Sequence, residues 1–182
     1  MSYRWWLFIA IGLFIIGIVA GLVTPANITS LISKQLVSIE EFSSILGPFK
    51  VSTVIFIFIK NVTVLLFSFV LSPILCLVPI LTLSVNGWLL TLVSSIVAKE
   101  KSLGFVLAGL LPHGIIELPA LFIGEAAALS FGTMVIIALF KKEGRSLLPS
   151  ILRQNLKYLW IALALLLPAA IIETYITPLL LR

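Results

Sequence analysis

Leu111-Pro-His-Gly-Ile-Ile-Glu-Leu-Pro-Ala-Leu-Phe-Ile-Gly-Glu-Ala-Ala-Ala-Leu-Ser-Phe-Gly132 carries the only histidine of the chain, two of its seven acids, two prolines and three glycines. It lies inside an apolar run from Leu103 to Phe140. A charged side chain at membrane depth costs roughly 2.5–3.5 kcal/mol on insertion scales, so His113, Glu117 and Glu125 need a compensating gain. On a helix His113 and Glu117 are four apart and share a face, with Glu125 two turns further along. Pro119 removes a backbone donor just past Glu117 and favours a kink. Pro112-His-Gly114 is a natural break, so the pattern predicts a half-helix over 103–111 and a full helix over 113–140. Such a break is tolerated at depth only where protein or a wet cavity covers it. The polar groups read either as a site within a bundle or as a structural clamp between helices, and the clamp is the expectation.

Composition sets the class around this stretch. Hydrophobic residues make up 61% and charged residues 10% of 182, with mean hydropathy +1.26. Soluble domains carry about 45–50% apolar and about 25% charged residues. The chain therefore reads as a single integral membrane domain over 1–182. Its apolar runs are continuous and lack the alternation of a barrel wall. An all-α, polytopic transmembrane helix bundle of about five spans follows. The net charge of +5 sits mostly at the ends of apolar runs, where orientation and anionic headgroups explain it without nucleic acid. Cys76, the single cysteine, reads as a small hydrophobe.

Outward from the centre, the spans are expected at about 5–23, 52–72, 74–97, 113–140 and 158–179. The first follows Arg4, begins with the interfacial pair Trp5-Trp6 and ends at Thr24-Pro25. It reads as a retained anchor, with a cleaved signal peptide as the alternative. Its Gly17-x-x-x-Gly21 lets another helix approach closely and suggests a homodimer. Residues 29–46 show helical apolar spacing with polar residues between, the pattern of an interfacial amphipathic helix. The second span holds Lys60-Asn61 and the third Asn86-Gly87. Both asparagines suit interhelical hydrogen bonds, Gly87 suits close backbone approach, and Lys60 reaches toward the interface. Lys141–Lys157 carries five basic residues against Glu143 alone, which predicts a cytoplasmic loop and a cytoplasmic amino terminus.

Glu173, in the last span, is the remaining ionisable group at depth. Energetics predict that His113, Glu117 and Glu173 converge with Asn61 and Asn86 nearby, because an unpaired charge is far costlier than a hydrogen-bonded group. Glu125 and Lys60 are possible additional members. His113, Glu117 and Glu173 are also the candidate metal ligands, since imidazole and carboxylate suit zinc or another divalent ion. One histidine makes a thin ligand set, and no cofactor is the base expectation.

The chain resembles the stage II sporulation protein M family. Pro112-His-Gly-Ile-Ile-Glu-Leu-Pro-Ala120 looks like that family's H-G-x-x-E-x-x-A signature. Phe58-Ile-Lys-Asn61, Asn86-Gly87 and Ile172-Glu-Thr-Tyr-Ile-Thr-Pro178 fall in matching order, so the resemblance covers about Phe56 to Pro178. Glu125 stands where the family usually has small residues and inherits no role. The resemblance implies a multi-pass membrane protein that, in spore formers, anchors and localises peptidoglycan-degrading partners. It names no catalytic residue.

Three functions follow from these readings. A scaffold for other membrane or envelope proteins comes first. A small-molecule or ion transporter or channel using the His/Glu cluster is the alternative. A metal-dependent intramembrane hydrolase is the third, with neither H-E-x-x-H nor a nucleophile elbow present to favour an enzyme.

Overall fold

The structure, a computed structural model, describes residues 2–25, 28 and 47–181. The amphipathic helix expected over 29–46 lies outside the described residues. Among the described residues the regular elements are all helices: α1 (Tyr3–Leu22), α2 (Val51–Leu71), α3 (Leu77–Glu100), α4 (Leu103–Phe140), α5 (Lys142–Tyr175) and the short α6 (Thr177–Leu180). Five are long and apolar enough to cross a bilayer, α5 and α6 counting as one.

Each helix stops where the sequence supplies a terminator. The Thr24 hydroxyl donates to the Ala20 carbonyl at 2.7 Å, closing the last turn of α1 ahead of Pro25. Ser72 caps the Phe69 carbonyl at 2.8 Å, and Pro73 ends α2 because its ring cannot continue the ladder. The reversal into α3 runs through Leu75 and Cys76, both left-handed at φ 50° and 55°. The Ser102 hydroxyl accepts from the Phe105 amide at 3.1 Å and starts α4. Lys141 alone separates α4 from α5, in an extended conformation, and the Arg145 Nε donates to the Ala138 carbonyl at 3.0 Å across that reversal.

The break expected at Pro112–Gly114 is corrected by the structure: α4 runs unbroken through both Pro112 and Pro119. There is no separate half-helix over 103–111. The physical reason is the solvent. A proline removes one donor, so Pro112 releases only the Ala108 carbonyl, whereas a break would strand several backbone groups in apolar surroundings.

α4 is the central helix. Half of its spanning window (50%) is buried inside the bundle, against 22% for α1. Small residues make that possible. Ala126, Ala127 and Ala128 are fully buried. A Cβ on Gly124 would collide with the Leu65 side chain, and one on Gly132 with the Ser72 carbonyl. Helices in lipid associate by such close packing, because the tails offer no hydrophobic drive.

Non-consecutive helices pair in parallel. Along α1 and α3, Leu13 meets Ser84 through a hydroxyl-to-carbonyl bond of 3.5 Å, and Thr24 accepts from Trp88 Nε1 at 2.9 Å. Between them Gly17 and Gly21 press on the Ser84 carbonyl and on Thr91, while Gly87 presses on the Phe14 carbonyl. The Gly-x-x-x-Gly face is thus used inside the protomer, which removes the feature that suggested a homodimer. α2 and α4 are also parallel, with Asn61 beside Glu117, Ser68 beside Glu125 and Cys76 beside Thr133. α5 returns antiparallel to α4, bringing Asn155 to Ser130 and Thr177 to His113. Tyr3 stacks on Tyr158 with ring centroids 3.5 Å apart and donates to the Ile123 carbonyl at 2.6 Å.

α4 has 38 residues and α5 has 34, about 57 and 51 Å at 1.5 Å per residue, against a hydrocarbon core of about 30 Å. Among the described residues, only these two helices continue past the level of Tyr3 and the Ser72–Cys76 turn. They form a basic hairpin.

Candidate functional site

α2 and α3 meet at the Ser72–Cys76 turn and touch each other little beyond it. The wedge between them is a cavity of about 330 Å³. Lys60, Asn61 and Val64 of α2 form one wall, and Asn86, Leu89 and Val93 of α3 the other. α4 supplies the floor with His113, Gly114 and Glu117, and Glu173 enters from α5.

The helix positions these groups as their spacing requires. His113 and Glu117, one turn apart, bring Nε2 and Oε2 to 3.9 Å, a separation longer than a hydrogen bond. Asn61 Nδ2 donates to the other oxygen of Glu117, Oε1, at 3.1 Å. His113 Nδ1 lies 3.4 Å from the Thr177 hydroxyl, which is buried at the start of α6. Glu173 completes the group: one ligand-capable atom each from His113, Glu117 and Glu173 all lie within 4.8 Å of one another. Among the described residues no hydrogen bond reaches the Glu173 carboxyl and no lysine or arginine lies within ion-pair distance of either acid, while His113, Glu117 and Lys60 act on Glu173 through space.

The other expected members stand differently. Asn86 lines the cavity, but its amide donates to the Thr82 carbonyl of its own helix at 2.7 Å and touches none of the three ionisable groups. Lys60 is exposed at the cavity rim. Glu125 belongs to a separate place, about 12 Å along α4 from Glu117 at 1.5 Å per residue. It is fully enclosed, accepts from the Ser68 hydroxyl at 2.5 Å through Oε2, and its Oε1 has no hydrogen-bond partner.

Thr177 and Ser68 were not legible as partners in the sequence. Thr177 had one signal, its place directly before Pro178 in the stretch Ile172–Pro178 that resembles the family. Ser68 had none, because a serine in an apolar run ordinarily bonds its own helix.

Comparison with known proteins places this geometry in context. A family model described as "Stage II sporulation protein M" matches residues 10–178. A curated relative, an uncharacterised protein of Methanocaldococcus jannaschii, is 34% identical over 87 residues, covering 48% of this chain and 49% of that protein. The chain thus spans about half the length of the curated relative it matches. No solved structure matches the chain.

Proposed function

The chain belongs to the stage II sporulation protein M family, and from that premise we propose that this multi-pass membrane protein binds a small, positively charged solute in the wedge between α2 and α3. One observation carries the reading: His113, Glu117 and Glu173 gather within 4.8 Å without hydrogen-bonding one another. A clamp works by closing such contacts, because a buried polar group gains only from bonds it makes. Here the groups stand apart around a cavity, two carboxyl groups and an imidazole with the Lys60 ammonium at the rim. Binding of a cation from one face of the bilayer is the first step that an ion or small-molecule transporter needs.

Stability distinguishes binding from clamping. Functional sites hold like charges together at a cost to the fold. The double variant Glu117→Gln with Glu173→Gln removes that repulsion and is expected to raise the melting temperature of the metal-free protein. A gain of about 1 kcal/mol corresponds to roughly 2–4 °C for a chain of this size. A fall of similar size in detergent-solubilised protein would instead make the cluster a clamp.

A second reading, a scaffold for membrane or envelope partners, draws on the projecting α4–α5 hairpin. It offers a rigid basic surface outside the bilayer, where a partner or anionic headgroups can dock. The basic excess puts this hairpin and the amino terminus in the cytoplasm. With Cys76 replaced by alanine, Lys141→Cys and Lys99→Cys should label from opposite sides of the membrane. Labelling from the same side would overturn both the orientation and the five-crossing topology.

A further inference from the structure

We propose that the wedge is a divalent metal site, in which His113 Nε2, Glu117 Oε2 and a carboxylate oxygen of Glu173 bind a zinc-class ion. The inference rests on the cavity's being a binding site and names what it binds.

Three features point to a metal over a proton or an organic cation. The first is the donor set, one imidazole and two carboxylates, which neutralises a doubly charged ion and suits zinc and its neighbours. The second is spacing. Ligands about 2.0–2.2 Å from a tetrahedral ion stand roughly 3.3–3.6 Å apart. Nε2 and Oε2 at 3.9 Å, with the third donor inside the 4.8 Å envelope, reach that by small side-chain rotations.

The third feature is the outer shell. A metal-binding histidine donates its other ring N–H to a fixed acceptor, and ligating carboxylates are themselves hydrogen-bonded. His113 has its Nδ1 against the buried Thr177 hydroxyl at 3.4 Å, and in the tautomer that donates from Nδ1 the Nε2 lone pair faces Glu117. Glu117 has Oε1 occupied by Asn61 at 3.1 Å, which leaves Oε2 facing His113. The two inner ligands are each oriented by a different helix, α6 and α2. Neither bond is needed to satisfy a clamp between His113 and Glu117, and both aim donors at one point. With three protein ligands the ion keeps an open position toward the cavity, as exchangeable sites do and closed structural zinc sites do not. Lys60 at the rim opposes a second cation and favours single occupancy.

The test uses the full-length protein purified in detergent, stripped by chelator and titrated with Zn²⁺, with Co²⁺ as a spectroscopic probe of coordination. Expected is about one equivalent of zinc per chain that survives gel filtration, with Co²⁺ giving ligand-field bands of a four- or five-coordinate site. His113→Ala and Glu173→Gln should lose the bound metal. Thr177→Val, which keeps shape and removes only the outer hydroxyl, should weaken affinity by about 10–100-fold while the protein stays folded. This second variant decides the matter if His113→Ala does not fold. Glu125→Gln should bind zinc like the wild type. Equal zinc binding by wild type, Glu173→Gln and Thr177→Val would overturn the site. If no zinc binds but the double-glutamine variant is stabilised, the metal assignment falls and the cavity reading stands. If the double variant is destabilised and no zinc binds, both fall.

Discussion

Gly87→Val should leave little folded protein. The glycine sits where α1 and α3 pack backbone to backbone, and a Cβ there would run into the Phe14 carbonyl, with the Ile18 amide and the Phe14 carbonyl carbon both 3.1 Å away. All three obstacles are backbone atoms and cannot rotate aside. Relief requires moving the helices apart along their whole contact. That would break the Ser84–Leu13 and Trp88–Thr24 bonds and lift Gly17 and Gly21 from their seats. Overpacking alone costs about 1–3 kcal/mol, and the lost bonds and packing push the total to about 3 kcal/mol or more. A domain of about 5–15 kcal/mol total stability would lose much of its margin. Gly12→Val on the partner helix α1 is the control, since nothing lies within 4 Å of a Cβ there. Thermal melting and the monodisperse fraction after detergent extraction report the difference. Equal melting temperatures for the two variants would mean that α1 and α3 do not pack as described.

Glu125 gives the second large effect, through its chemistry more than its size. The side chain is fully enclosed between α4 and α2, takes the Ser68 hydroxyl at 2.5 Å and leaves Oε1 without a partner. Glu125→Ala removes Ser68's acceptor and opens a void beside Gly124 and Leu65. Cavity formation with a stranded hydroxyl costs about 2–5 kcal/mol. Glu125→Gln keeps the shape and an acceptor for Ser68, and should stay within about 1 kcal/mol of wild type. Denaturant titration of both variants in matched detergent checks the pair. A glutamine as damaging as alanine would show that the position needs the carboxyl itself.

Much of the architecture was readable from residues alone, because the bilayer makes the rules severe. Continuous apolar runs ended by Thr24-Pro25, Ser72-Pro73 and Ser102 admit few outcomes other than helices. The juxtaposition of His113 with Glu117 followed from helical spacing. The failure at Pro112–Gly114 arose from weighing a local breaker by water's standards, whereas lipid penalises the alternative to a helix more heavily. The roles of Gly17 and Gly21 could not be assigned by sequence, since a small-residue face looks the same whether its partner is another chain or Gly87 of this one. Asn61 and Asn86 looked equivalent in sequence, yet only Asn61 reaches Glu117. The difference lies in how far α2 and α3 diverge, which no local pattern encodes.

The parallel pairing of α1 with α3 and of α2 with α4 also sets a timetable for biogenesis. When α2 leaves the ribosome, Asn61 and Ser68 have no partners, because Glu117 and Glu125 lie 56 and 57 residues downstream. At about 5–20 residues per second, the interval before those acids are made is about 3–11 s. Throughout it the Asn61 amide lacks the Glu117 acceptor that it bonds in the finished fold. Late, collective release of α2 and α3 together with α4 is the order of assembly that this pairing favours.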